Sequence, residues 1–184
     1  KFWNSVLYVV PIVVFQLLVA SLAAFGFARY SGKVRSAVFF IYIAVMLMPY
    51  QVTLVPNYLV SGWLHILNTR WAILLPGIFS PFAVYMLTKY MRRIPVSLYE
   101  AAEIDGCSTA GTFFKIVLPL SKAMLGVIML YYLVAHWNNF STALYYTPQS
   151  TEYWPLQMVV RDMLRSLNQM MSTSNDEALI YFTR

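Results

Sequence analysis

The sequence predicts an all-α fold, a polytopic transmembrane helical bundle, on three observations. Its 184 residues are 60% hydrophobic and only 11% charged, whereas a soluble domain carries about 25% charged residues. The apolar residues gather in long runs without charge. The basic residues collect in alternate connections between those runs.

The first run, residues 2–28, lies between Lys1 and Arg29. A helix needs about 20 largely apolar residues to cross a bilayer, and a charge at its centre costs about 3 kcal/mol on insertion scales. A span over 3–28 follows. It is too long for the apolar part of a secretion signal and shows no cleavage pattern. Ala20, Ala24 and Ala28 recur every four residues, a spacing of small side chains that lets a second helix approach closely.

The second run, 36–69, has only His65 as a titratable group and predicts a span over 37–60. It contains "MPYQVTLVP", with Pro49 and Pro56. Proline inside a helix frees a carbonyl and kinks the axis, which is tolerated where protein or a cavity covers the break. This stretch either borders a pathway, with Pro49 and Gln51 as candidate lining residues, or is a packing detail. The short loop "SGWLHILNTR" leads to a third span over 71–90, with Trp63 and Trp71 suited to the membrane interface. A fourth span is expected over 119–141. Most of the ten methionines read as gap-filling core.

Orientation follows from Lys and Arg. Arg29, Lys33, Arg35, Lys89, Arg92, Arg93, Lys115 and Lys122, eight of the thirteen basic residues, fall on one side of this topology, which is therefore cytoplasmic. The opposite side takes residues 142–174, where Leu156, Val159, Met163, Leu167 and Met170 repeat at three- and four-residue steps. That is an amphipathic helix. Ser174 and Glu177 then make a capping-box pattern, so a further helix is expected from near Asn175, the start of a last span over 175–184. The chain also begins without Met just before a span. A piece of a larger bundle, truncated at both ends, is the expectation.

Several chemistries find no support. The single Cys107 excludes an internal disulfide and a cysteine metal cluster, and reads as a packing residue. His65 and His136 are distant in sequence and lack Cys or acidic neighbours, so no metal site is expected. "GCSTAGTF" has P-loop-like glycines but lacks the phosphate-binding lysine. No Ser/His/Asp or dicarboxylate constellation appears within the spans, so no catalytic residue, no cofactor and no nucleic-acid partner is expected.

The informative stretch is the cytoplasmic loop 91–118, with Glu100, Glu103 and Asp105 among the chain's seven acids. Pro95 breaks the preceding helix. Ser97 and Glu100 make a second capping box, so a short helix is expected from Leu98 to about Ile104. Gly106 suits a left-handed stop, and Ser108 or Thr109 can cap the next helix. Leu98, Ala101, Ala102 and Asp105 fall on one side of the first helix, where the alanines leave a low surface. Arg92, Arg93 and Lys115 stand near enough in sequence to balance Glu100 and Asp105.

Glu100-Ala101-Ala102, Asp105-Gly106, Ile116 and Leu118-Pro119 together resemble the EAA loop of ABC importer permeases. Asn4-Ser5, "AAFGFAR", "MPYQVTLVP" and "WNNF" are similar to stretches of the maltose-type carbohydrate permeases. The resemblance implies an ABC importer type I permease fold in a bacterial cytoplasmic membrane. It implies a second permease subunit as a heterodimer, two ATPase subunits, an extracytoplasmic solute-binding protein and the lipid bilayer as partners. Ser97, Leu98, Glu100, Ala101, Ala102, Asp105 and Gly106 would then be ATPase-coupling residues. The cargo implied is a complex, sometimes acidic, plant or algal oligosaccharide, and 146–174 would meet the binding protein.

Trp137, Asn138 and Asn139, with Tyr145 and Tyr146, form a polar–aromatic group. It reads either as an interfacial belt or as a sugar-binding part of the pathway. The alternative to an ATP-driven importer is a secondary transporter or channel. Proton coupling is disfavoured, because carriers of that type place ionisable residues within their spans and all seven acids here lie outside the four complete spans.

Overall fold

The computed structural model describes residues 1–182, with side chains through residue 172. Every regular element among these residues is helical. Two stretches, Phe2–Arg29 and Trp71–Met91, are long and apolar enough to cross a membrane, and two bent helix pairs raise that to four if each pair is one span.

Helix α1, Phe2–Arg29, runs unbroken past Pro11. Its small-residue face does what the spacing predicts. Ala20 and Ala24 are buried in one cluster with Ala83, Val84 and Leu87 of α5 (Pro81–Met91), and Ala28 packs at its margin. Without side-chain bulk at the crossing, the two backbones approach closely and dispersion contacts hold them. α4 (Trp71–Ile78) joins α5 through Phe79 and Ser80. Ser80 caps α5 by accepting the Ala83 N–H at 3.1 Å, and Pro81 takes the first helical position.

The stretch predicted as one kinked helix over 37–60 is two helices. α2 (Lys33–Met46) and α3 (Tyr50–Trp63) meet at 105°. Pro49 sits at the N-cap of α3 in extended geometry, with φ −59° and ψ 141°, so the chain turns a corner there instead of bending within a helix. Pro56 lies inside α3. α2 packs chiefly through Phe39, whose ring stacks on Tyr85 at 6.1 Å. Most large apolar side chains of both helices remain exposed, as suits surfaces facing lipid or another membrane subunit.

The fourth predicted span, 119–141, is one helix over most of its length, with a corner near its start. α9 is Lys122–Trp137, and the preceding segment Thr109–Leu120 meets it at 73°. The corner is Ser121, fully buried, which takes φ −90° and ψ 4°. α10 (Ser141–Tyr146) follows after Asn138 and Asn139.

The 146–156 segment is tied by hydrogen bonds, in part to the start of α1. Asn4 Nδ2 donates to the Glu152 carbonyl at 2.6 Å, Tyr8 to that of Tyr153 at 2.8 Å, and Ser5 Oγ accepts the Leu156 N–H at 2.9 Å. Tyr8 and Ile12 join Ile73, Ala143 and Met158 in a second apolar cluster. Asn68, in left-handed geometry with φ 59°, bonds the 146–150 segment through three groups. Its N–H donates to Tyr146, its Oδ1 accepts from Gln149, and its carbonyl accepts from Ser150.

α11 extends over Leu156–Phe182. Met158 is buried, whereas Met163, Leu167 and Met170 of the predicted apolar stripe are exposed. The new helix expected near Asn175 is absent as a separate element, because α11 continues through that position. The Ser174 and Glu177 side chains of the expected capping box lie outside the described residues.

Candidate functional site

Two features stand out: the loop after α5, and a cavity near the other end of the bundle. The loop begins where α5 stops. Arg92 at its C-cap donates to the Phe27 carbonyl of α1 at 3.2 Å, satisfying an acceptor that a helix end leaves open. Pro95 then occupies the N-cap of α6 (Val96–Ile104), with no side-chain cap bond. The Ser97–Glu100 capping box is therefore not formed. The proline starts the helix two residues before Ser97, so both residues lie within it.

The end of α6 follows the sequence expectation. Gly106 has φ 72°. Its N–H bonds Glu103 O at 3.0 Å, and Cys107 N–H bonds Ala102 O at 2.8 Å. This pair of bonds is a Schellman motif, which needs a left-handed residue where it turns. Ser108 caps α7 (Thr109–Thr112) by accepting the Gly111 N–H at 3.1 Å. The helix then widens into a π-helical stretch, Phe113–Val117, where Leu118 N–H reaches back to Phe113 O. α8 (Leu118–Leu120) completes the loop.

Side chains on α6 divide cleanly. Tyr99 and Ala102 are buried at 5% and 4% exposure. The Tyr99 ring stacks on Phe25 of α1 at 6.5 Å, and Phe113 lies 5.2 Å from the same ring. Ala102 is thus a packing residue, not part of the low outer surface expected from the sequence. Ser97, Leu98, Glu100, Ala101, Asp105 and Gly106 all stay exposed, beside Ile104 at 86%.

The expected balancing of Glu100 and Asp105 by Arg92, Arg93 and Lys115 does not occur. Among the described residues the ion pair is Arg29–Glu103, from the end of α1 to α6. The Arg29 guanidinium also lies 5.2 Å from the centre of the Tyr99 ring, a cation–π contact. Burial pushes the Tyr99 hydroxyl above its ordinary pKa, with Arg29 opposing, and that hydroxyl has no hydrogen-bond partner.

The cavity holds about 650 Å³, between α1, α3, the α4–α5 junction and the α9–α10 corner. Its polar wall includes Ser5, Tyr8, Asn57, Ser80, His136 and Asn139, and no Lys, Arg, Asp or Glu. Behind it, Gln16 Oε1 stands 3.3 Å from His136 Nε2, and Tyr132 stacks on the His136 ring while its hydroxyl bonds Ser80 Oγ. Such a wall offers neutral donors and acceptors suited to hydroxyl groups.

Of the sequence candidates for a pathway, Asn139 lines this cavity, as does Tyr146. Trp137, Asn138, Pro49 and Gln51 do not. Trp137 instead meets Phe2 edge-on at 5.6 Å, and Asn138 accepts from Gln157 at 3.3 Å. His136 and Gln16 were missed by sequence reasoning. The signal available was a glutamine inside an otherwise apolar span.

The comparisons with known proteins are consistent throughout. The profile of the binding-protein-dependent transport system inner membrane component family matches residues 16–180. The polygalacturonan/rhamnogalacturonan transport system permease protein YtcP of Bacillus subtilis is 36% identical over 149 residues, covering 81% of this chain and 51% of that protein. The arabinooligosaccharides transport system permease protein AraQ of Halalkalibacterium halodurans is 35% identical, over 76% of this chain and 50% of its own. A chain in the crystal structure of a bacterial ABC transporter that imports the acidic polysaccharide alginate superposes with a TM-score of 0.81 at 25% identity, covering 88% of this chain and 57% of that one. The chain spans about half the length of the curated relatives it matches. Helices of membrane-spanning length and these matches lead to one conclusion: the chain belongs to the family of binding-protein-dependent transport system inner membrane components, the ABC importer permeases.

Proposed function

We propose that this chain forms part of the transmembrane permease of an ATP-driven, binding-protein-dependent oligosaccharide importer in a bacterial cytoplasmic membrane. One of two ATPase subunits docks on its 91–118 loop, a second permease completes the pathway as a heterodimer, and an extracytoplasmic binding protein delivers the sugar at the 146–174 side. ATP hydrolysis belongs to the ATPases. The observation that carries the reading is the shape of α6. Tyr99 anchors it to Phe25 of α1 and Ala102 is buried, whereas Leu98, Glu100, Ala101, Ile104 and Asp105 stay exposed.

The cavity supports the carbohydrate part. Its uncharged polar wall fits hydroxyl-rich cargo, and relatives bear names of polygalacturonan and arabinooligosaccharide systems. An acidic oligosaccharide would then owe its carboxylate recognition to groups outside this wall.

The test uses the full-length permease assembled with its partner subunits. Glu100→Lys, or Gly106 replaced by a bulky residue, should reduce recovery of the ATPase with the permease or lower sugar-stimulated ATP hydrolysis at least tenfold, about 1.4 kcal/mol, while membrane insertion stays normal. Unchanged association and stimulation in both variants would refute the docking role.

A further inference from the structure

Three separate points of the cytoplasmic loop return to one place, the last turn and a half of α1. Arg92, before α6, donates to the Phe27 carbonyl. Within α6, Tyr99 stacks on Phe25 and Glu103 pairs with Arg29. After α6, Phe113 packs on Phe25. Tyr99, Phe25 and Phe113 are each at most 7% exposed.

α1 is then a single helix of 28 residues, about 42 Å long at 1.5 Å per residue. Pro11 removes one internal bond, but Tyr8 and Ile12 on either side of it are held in one buried cluster. The far end of α1 carries Ser5, Tyr8 and Ile12 into the cavity wall and bonds the 152–156 strap. The covalent alternative, the segment leading into α9, turns 73° at Ser121, and α9 itself buries only Ile128.

We infer that α1, gripped at its cytoplasmic end through Arg29 and Glu103, is the strut that carries displacement of α6 to the cavity, with Arg29 as its positioning residue. The inference rests on the reading of α6 as the ATPase dock. An isolated, partly exposed ion pair contributes little to stability. Here its value is directional: with the Tyr99 ring beneath the guanidinium, Glu103 and Arg29 fix the angle between α6 and α1.

The experiment reads both ends at once. The full-length permease, assembled with its partner subunits in proteoliposomes, carries Cys107→Ser and a cysteine at the cavity position Asn57. Labelling by an external, membrane-impermeant maleimide is compared without nucleotide and with ATP plus vanadate, alongside ATPase retention and ATP hydrolysis. ATP plus vanadate should raise labelling in the parent. Arg29→Ala and Glu103→Ala should cut that rise about fivefold, the scale of one ion pair with a cation–π contact, with the ATPase still bound and hydrolysing. The exchange R29E with E103R should restore it. A full rise in Arg29→Ala overturns the strut. Loss of the ATPase from Arg29→Ala also overturns it, by making the pair a docking support. If Glu100→Lys leaves ATPase binding and the rise unchanged, the dock itself is misplaced, and that failure is distinct from failure of the strut.

Discussion

Gly77 stands so close to Ile12 that a Cβ placed on it would lie 2.8 Å from Ile12 Cγ2 and 3.1 Å from Cδ1. The absent side chain is what lets α4 rest on α1 beside the cavity. Ile12 is 3% exposed and has little room to yield. Gly77→Ala should destabilise by about 1–3 kcal/mol, the usual cost of overpacking. Thermal unfolding of the purified permease complex in detergent measures it. Adding Ile12→Ala should make the pair cost less than the sum of the single changes; strict additivity would show that the two residues do not press on each other.

Asn68 predicts an order of substitutions. Its left-handed backbone, φ 59°, costs a non-glycine residue about 1–2 kcal/mol, and asparagine is among the few that tolerate it. Asn68→Gly keeps the conformation and loses only the Oδ1 bond from Gln149. Asn68→Ala loses that bond and adds strain. Limited proteolysis within 147–151 should therefore accelerate little in the glycine variant and severalfold more in alanine, by about 1 kcal/mol of local opening. Equal rates would remove the backbone argument.

Tyr99 predicts a gain with a defined pH dependence. Its hydroxyl is buried and unpaired, and leaving a polar group so costs about 1–3 kcal/mol. Tyr99→Phe keeps the ring on Phe25 and beneath Arg29 and should raise the melting temperature slightly. Burial raises the folded-state pKa above 10. The neutral hydroxyl's advantage is therefore complete below pH 10 and is lost as pH rises through the folded-state value. Melting curves of the parent should fall in that alkaline window by more than those of Tyr99→Phe. Parallel alkaline losses would mean that ionisation of Tyr99 plays no part.

The fold was legible where the signal is additive. Hydropathy sums over a window, so the 2–28 run announced a long apolar helix and Ala20–Ala24 a close neighbour, and the structure has a helix long and apolar enough to cross a membrane with α5 packed on those alanines. Direction is not additive. A window cannot distinguish a kink from the 105° corner at Pro49, because both preserve the apolar count. The loop was legible at Gly106, whose turn chemistry is local. It was misread at Ser97, where Pro95 preempted the cap, and at Ala102, buried on the helix whose Tyr99 packs on Phe25 of α1, distant in sequence. The same distance hid Arg29–Glu103 and Gln16–His136.

The π-helical stretch Phe113–Val117 has a consequence for how this loop tolerates change. A π turn is an α-helix that has accepted one surplus residue. A residue otherwise advances a helix by about 100°, but the wide turn takes in the surplus one without adding that full rotation. Excising one residue between Phe113 and Val117 would therefore leave a regular helix and keep Leu118 and the approach to α9 near their present bearing. A deletion here should be easier to accommodate than one in the regular helix on either side, and the segment serves as a spare link in the length of the loop.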